Sequence, residues 1–217
     1  MAVSYDNSVV KAGVGQTLSA NLLISGSDRI LLVGVMTNSP GGSGYDVLSV
    51  TYAGNALTYV DGITRGSSMA VELWKLVLPP TGTNTIIVTQ KLPAVEFSFV
   101  GISFNGSDGT ISGTNTAADT SGGASVTVTS AVNSMVADFI GWRNAMTIVC
   151  DVSQTERQNS FSGGHSRGCS TEAGAASVAM DWTAAGSEAW AIIATSVKDG
   201  TQTETKLGSL TLMGVGI

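Results

Sequence analysis

Apolar residues recur in this chain with a period of two, and that alternation limits the fold more than any other feature. In Leu48-Ser49-Val50-Thr51-Tyr52 every second residue is apolar, and in Ser125-Val126-Thr127-Val128-Thr129 two valines alternate with hydroxyls. A strand sends successive side chains to opposite faces, so such runs give one dry and one wet face. No window of about twelve residues carries the i, i+3, i+4, i+7 spacing of an amphipathic helix. Turn-forming clusters at 38–44, 53–55, 79–84, 105–109 and 119–123 punctuate the runs. Many short strands at such intervals predict an all-β chain: a single jelly-roll-like antiparallel β-sandwich of about 10–15 strands. Residues 16–200 are expected to form the sandwich, 1–15 an N-terminal arm or edge strand, and 201–217 an apolar strand or tail.

Some runs are too apolar for one wet face. "RILLVGVM" (29–36) reads as a central strand covered on both sides, and is far too short to span a bilayer. "MAVELWKLVL" (69–78) and "VEFSFVGISF" (95–104) change phase midway. A β-bulge or burial on both faces produces that slip, and the sequence leaves both open.

One stretch suggests chemistry. Gly164-His165-Ser166-Arg167-Gly168 matches G-x-S-x-G, the turn that presents the nucleophile of serine esterases. That turn needs a following helix, yet "RGCSTEAGAASVAMDW" continues as a Gly/Ser stretch and then a strand. The serine also needs a base. The chain has 1 histidine, His165, and it is the direct neighbour of Ser166. Adjacent side chains do not aim at each other as a triad requires, so no catalytic residue is expected. Gly163, Gly164 and Gly168 are read instead as a mobile loop. Cys150, Cys169 and His165 match no zinc spacing, and the two cysteines are expected as free thiols. The oxygen-rich 105–109 and 117–123 are read as ordinary turns rather than calcium loops. No P-loop or dinucleotide fingerprint is found, and no metal or cofactor is expected.

With 16 acidic against 10 basic residues, the net charge is −6, which lacks the basic field that nucleic-acid binding needs. Trp74, Trp182 and Trp190 read as core; Trp142, before Arg143-Asn144, is balanced between core and surface. Met1 is followed by "AVSYDNSVVKAG", with no basic region and no long apolar run of a secretion signal. Leu207, Leu210, Leu212, Met213, Val215 and Ile217 make the C-terminus apolar, so it is expected either to close its own sandwich or to dock on a neighbouring subunit.

The order of segments carries a resemblance. "VTYAGNALT" and "VELWKLVLPPTGTNTIIVT", followed by "VEFSFVGISFNGSDG", "VNSMVADFIGW" and "ASVAMDWTAAGSEAWAIIATSVK", are similar to a jelly-roll-type β-sandwich module of bacteriophage capsid decoration (cement or head-fibre) proteins. The module also occurs in bacterial surface proteins. The resemblance covers about residues 20–198. It implies a non-enzymatic virion protein, a homo-oligomer and often a trimer, made in the bacterial host cytoplasm. Such a protein binds the major capsid protein on the outer capsid surface and stabilises the shell, with no membrane or nucleic-acid partner. The alternative is a carbohydrate-binding or host-adhesion module, with Tyr45, Asp46, Trp142, Arg143 and Asn144 as the candidate glycan surface.

Overall fold

The computed structural model describes residues 1–38, 47–91 and 96–200. The strands run β1 (Ser4–Val14), β2 (Thr17–Ile24), β3 (Ile30–Asn38), β4 (Val47–Tyr52), β5 (Asn55–Ala56), β6 (Thr58–Arg65), β7 (Met69–Val77) and β8 (Gly82–Gln90). They continue as β9 (Glu96–Asn105), β10 (Ser107–Val128), β11 (Met135–Arg143), β12 (Ile148–Cys150), β13 (Thr155–Ser162), β14 (His165–Ala173) and β15 (Val178–Asp199). The molecule is an all-β antiparallel sandwich.

Three sheets stack. The middle sheet has the order β1-β9-β3-β7-β6. On one side lies a four-stranded sheet, β2-β8-β4-β5; on the other lies a six-stranded sheet, β10-β15-β11-β14-β13, with β12 added to β15. Leu31, Val33, Val35, Phe97 and Phe99 of the middle sheet pack on Leu22, Val50, Tyr52, Ile86 and Val88 of the four-stranded sheet. From the opposite face, Leu32, Met36, Val71, Leu73, Val100 and Ile102 pack on Phe139, Cys169, Ala191 and Ile193 of the six-stranded sheet.

This layering settles the two phase slips. β3 and β9 are buried along almost their whole length, and β7 through its first half. They are strands dry on both faces, not bulged ones. The register of β3 with β7 and with β9 is unbroken. The bulges sit on the outer partners, between Tyr59 and Asp61 of β6 and between Tyr5 and Asn7 of β1. The N-terminal segment is an edge strand, paired with β9 from Ser4↔Asn105 to Val14↔Glu96. The segment 201–217, and with it Leu207, Leu210, Leu212, Met213, Val215 and Ile217, lies outside the described residues.

The six-stranded sheet doubles over. β10 pairs with β15 from Ser107↔Asp199 to Ser121↔Glu188, then from Gly123↔Thr183 to Val128↔Val178. At that break the ribbon turns back across its own sheet. Asn115 Nδ2 donates to Thr127 O at 2.9 Å, and a Cβ on Gly113 would stand 2.5 Å from Thr129 O. The returning half forms a flap, with Ala124, Val126, Val128, Met180 and Trp182 on its inner side. Beneath it lie Val136, Ile140, Trp142, Trp190 and Ile192. The expected turn at 119–123 is this fold-back.

The largest departure from the sequence reading is β14. Residues 163–170 were expected as a mobile loop, yet His165 to Thr171 form a strand buried along its length, between β11 and β13. Gly168 is glycine because the Trp182 ring fills the space of a side chain, 2.5 Å from where a Cβ would be. Only Gly163, in the left-handed region at φ 63°, holds a turn, and a Cβ there would overlap the Glu96 carboxylate.

Close approach of the middle and six-stranded sheets depends on Gly34, where a Cβ would overlap the Phe139 ring. Gly34→Ala is expected to destabilise the fold by about 1–3 kcal/mol through overpacking. Adding Phe139→Leu should restore part of the loss, read as the urea midpoint of each variant.

Candidate functional site

The chain's single histidine has a serine partner after all, and it is not Ser166. His165 starts β14 in the six-stranded sheet, and Ser98 lies on β9 of the middle sheet. Ser98 Oγ stands 2.7 Å from His165 Nε2. Glu96, two residues before Ser98, places Oε1 3.7 Å from His165 Nδ1. Arg167 Nη1 lies 3.5 Å from the same Nε2. A guanidinium only donates, so Nε2 is the acceptor and Ser98 the hydroxyl donor. The proton then sits on Nδ1, facing Glu96. Hydroxyl, imidazole and carboxylate thus stand in the order of a catalytic triad.

Access distinguishes this cluster from a nucleophilic site. Ser98 and His165 are both 0% exposed. Burial first, then the positive charge of Arg167, pushes the His165 pKa down to about 3. The imidazole is neutral at physiological pH, so its approach to Glu96 is not an ion pair, and at 3.7 Å it is long for a hydrogen bond. Glu96 spends its other oxygen on the β13–β14 turn, accepting from Gly164 N at 2.6 Å. Asn38 Nδ2 donates to Gly164 O at 3.1 Å, and Asn144 N donates to that carbonyl at 2.7 Å. The cluster therefore bolts the end of β14 to β3, β9 and β11. Ser166, the motif's serine, accepts from Met146 N and donates to Met146 O at 2.6 Å. It caps a loop and faces no base.

A second buried polar centre lies under the flap. Asp138 of β11 is 0% exposed and accepts from Trp182 Nε1 at 2.6 Å, Ser170 N at 2.6 Å, Ser170 Oγ at 2.9 Å and Gln154 Nε2 at 3.3 Å. Burial raises its pKa to about 6, and the donors from Trp182, Ser170 and Gln154 offset part of that rise. Gln154 Oε1 in turn accepts from Asp181 N at 2.8 Å, so the network joins β11, β14, the 151–154 turn and the flap.

The other candidates separate. Trp142 is 0% exposed and packs on Trp190 with ring centroids 6.0 Å apart, so it leaves the candidate glycan surface. Arg143 and Asn144 are exposed, and Asn144 Nδ2 donates to Glu188 Oε1 at 2.7 Å. Tyr45 and Asp46 lie outside the described residues. Trp182 and Trp190 are core; Trp74 is half-buried, edge-on to Tyr59 at 5.4 Å. Cys150 and Cys169 are free thiols in different layers: Cys169 faces the middle sheet, and Cys150 lies on β12 opposite Trp182 in the ladder of the flap. Among the described residues, no group of three His, Cys, Asp or Glu side chains is placed to hold a metal ion. Val149, Cys150, Asp151, Val152, Asp181 and Thr183 line a shallow cleft of about 150 Å³.

One surface was not singled out from the sequence. The outer face of the four-stranded sheet sets Thr17 beside Thr89, Ser19 beside Ile87, Asn21 beside Thr85 and Leu23 beside Thr83. β4 extends two rows, with Ser49 opposite Thr89 and Thr51 opposite Ile87. Not one of these ten side chains is ionisable. Alternation in "TLSANLLI" and "TNTIIVT" carries the signal, since the wet positions hold hydroxyls and amides where soluble sheets usually carry charges. No family model, curated protein or solved structure matches this chain.

Two outcomes follow from the buried centres. Diethyl pyrocarbonate should leave His165 of the native protein unmodified and modify it once the chain is unfolded, followed by peptide mass. Asp138 is bound more tightly to its proton in the folded chain (about 6, against an ordinary 3.8). Its contribution to stability is therefore full below about pH 4 and is lost as pH rises through 6, about 3 kcal/mol in all. The stability difference between wild type and Asp138→Asn should fall by that order between pH 4 and pH 7 in urea titrations.

Proposed function

We propose that this chain is a non-enzymatic structural protein of a virion, a capsid decoration protein that lays the outer face of its four-stranded sheet on the capsid lattice. The observation that carries the reading is that face: ten side chains on three strands, all uncharged, with Leu23 and Ile87 exposed among hydroxyls. Desolvating a charge on binding costs several kcal/mol unless it is paired, whereas a hydroxyl costs less and needs only one hydrogen-bond partner, and an aliphatic group gains by being covered. A face free of ionisable groups therefore suits a broad, flat contact. The sealing of Ser98 and His165 supports the non-enzymatic part. The segment resemblance supplies the partner, the major capsid protein, and a homo-oligomer at symmetric positions. Binding of the folded form to the lattice would stabilise both by mass action.

Thr85→Lys with Ile87→Asp is expected to weaken binding to undecorated capsids by more than about tenfold, since each places a charge in the contact. The thermal midpoint of the free protein should stay within a few degrees, because both positions are on the outer face. Sedimentation of capsids with each variant measures the first, and calorimetry the second. Equal binding by the charged variant removes this face from the contact. Capsids that gain no heat resistance from the wild-type protein sink the decoration role itself.

The glycan-binding reading has one observation of its own. Tyr59 is 39% exposed and stands edge-on to Trp74, the aromatic pair nearest to a stacking platform. Retention of the wild type, but not of Tyr59→Ala, on a glycan array would favour it.

A further inference from the structure

We propose that β2 is a pairing edge, where two copies of this chain join antiparallel about a two-fold axis and merge their four-stranded sheets into one. A strand that ends a sheet exposes a row of unpaired backbone groups, and proteins blunt such rows with charges, bulges or short strands. Among the described residues, every sheet edge but one is blunted in this way. β1 is bulged after Tyr5 and carries Asp6 and Lys11. β6 is bulged after Tyr59 and carries Asp61 and Arg65. β13 is bulged between Glu156 and Gln158, with Arg157 in the bulge. β10 breaks its ladder repeatedly and carries Asp108 and Asp119. β5 and β12 hold only two and three residues. β2, "TLSANLLI", runs for 8 residues in unbroken register with β8 and has no charge, proline or glycine.

The free groups of this edge follow from the register. Gln90 N donates to Gln16 O, so the even-numbered residues of β2 bond to β8. Thr17, Ser19, Asn21 and Leu23 therefore turn their N–H and C=O outward. Among the described residues, one hydrogen bond reaches this row, from Asn7 Nδ2 to Leu23 O at 3.2 Å, and a carbonyl oxygen has a second lone pair to offer.

The side chains point to the occupant. One antiparallel register of β2 on a second β2 leaves none of residues 17–23 without an opposite number. It sets Thr17 against Leu23, Ser19 against Asn21, Leu18 against Leu22, and Ala20 against its own copy. The outward residues then form the hydrogen-bonded pairs. The inward ones form the closer, non-bonded pairs, where side chains crowd. Ala20, the smallest side chain of β2, falls on the two-fold axis at that closest approach. It is also the one inward residue of β2 left half-buried, beside Leu18 and Leu22 in the core, and a neighbouring strand supplies the missing cover. The other described edges of this chain would bring a charge, a bulge or too few residues to the same place. Such a contact is isologous, with backbone bonds supplying the affinity. Edge and outer face are different features of the sheet, so the pairing holds whether or not that face meets a capsid.

Sedimentation equilibrium of the free protein, without capsids, should show a dimer that dissociates on dilution. Hydrogen exchange of the wild type, read residue by residue, then locates the contact. Amides of Thr17, Ser19, Asn21 and Leu23 should slow as concentration rises, while those of Leu18, Ala20, Leu22 and Ile24 are slow throughout. Ser19→Pro removes an outward N–H that the monomer does not use, and should raise the dimer dissociation constant at least about tenfold. Ser19→Lys mixed with Asn21→Glu tests the register. Each alone brings like charges together across the axis, whereas the mixture sets Lys against Glu and should favour the mixed dimer about fivefold at low salt. A chain that stays monomeric at every concentration overturns the proposal. So does a dimer whose outward amides exchange as in the monomer, since its contact lies elsewhere. Outward amides that are protected in the monomer at every dilution overturn it too, because the edge is then occupied within the chain.

Discussion

The middle sheet must be dry on both faces, and most of the architecture answers that demand. β3, β7 and β9 carry apolar side chains in both directions, so a two-layer sandwich would leave one set in water. The four-stranded sheet covers one face and the six-stranded sheet the other. At roughly 25 cal/mol per Å² of apolar surface, that double burial supplies the main driving force. Close approach has a steric condition, met by Gly34 under Phe139, Gly101 under Ile86 and Gly141 under Met69. These glycines serve packing between sheets, not turns, and their weak strand propensity is offset by the contacts they admit.

A stack of dry layers leaves few places for polar groups, and those it holds are tied down. Ser98 and His165 span the seam between the middle and six-stranded sheets at one end. Asp138 spans the seam between that sheet and the flap. Each apolar seam could slide by one residue pair at modest cost. A buried hydrogen-bonded pair cannot, because a slip leaves donors and acceptors unsatisfied at about 1–3 kcal/mol each. The Ser-His-Glu order and the raised carboxylate are signatures often met at catalytic centres. Here Ser98, His165 and Asp138 are sealed from solvent, and each ties one layer to the next.

How much of this the sequence disclosed depended on whether its signals were local. Alternation exposed the all-β class, and "RILLVGVM" showed a strand covered on both faces. The slips in 69–78 and 95–104 were ambiguous until a third layer was known, since bulge and double burial leave the same pattern. β13 and β14 were missed because "QNSFSGGHSRGCSTEAG" has the composition of a loop. Its second half, β14, is a buried strand because Ser166, Arg167, Ser170 and Thr171 each find polar partners on other segments. The His165 site failed for the same reason. Ser166 was the serine that spacing offered, while Ser98, 67 residues away, was brought in by the stacking of two sheets.

The same contrast separates the two outer surfaces of the stack. On the flap side, Asp151 and Asp181 stand beside exposed Val149 and Val152, so charge and apolar surface are mixed. On the four-stranded sheet, the wet positions of β2, β8 and β4 hold hydroxyls, an amide and three aliphatic side chains, Leu23, Leu48 and Ile87, without a single charge. An antiparallel sheet needs only one apolar face to fold, so stability does not dictate what the outer face carries. Charges there would be the ordinary means of keeping sheets from associating. Among the described residues, the wet positions of β2, β8 and β4 carry no charge in a chain of net charge −6, which leaves the face free to associate. That asymmetry, more than the cleft or the buried clusters among the described residues, is why the function proposed above rests on a contact surface.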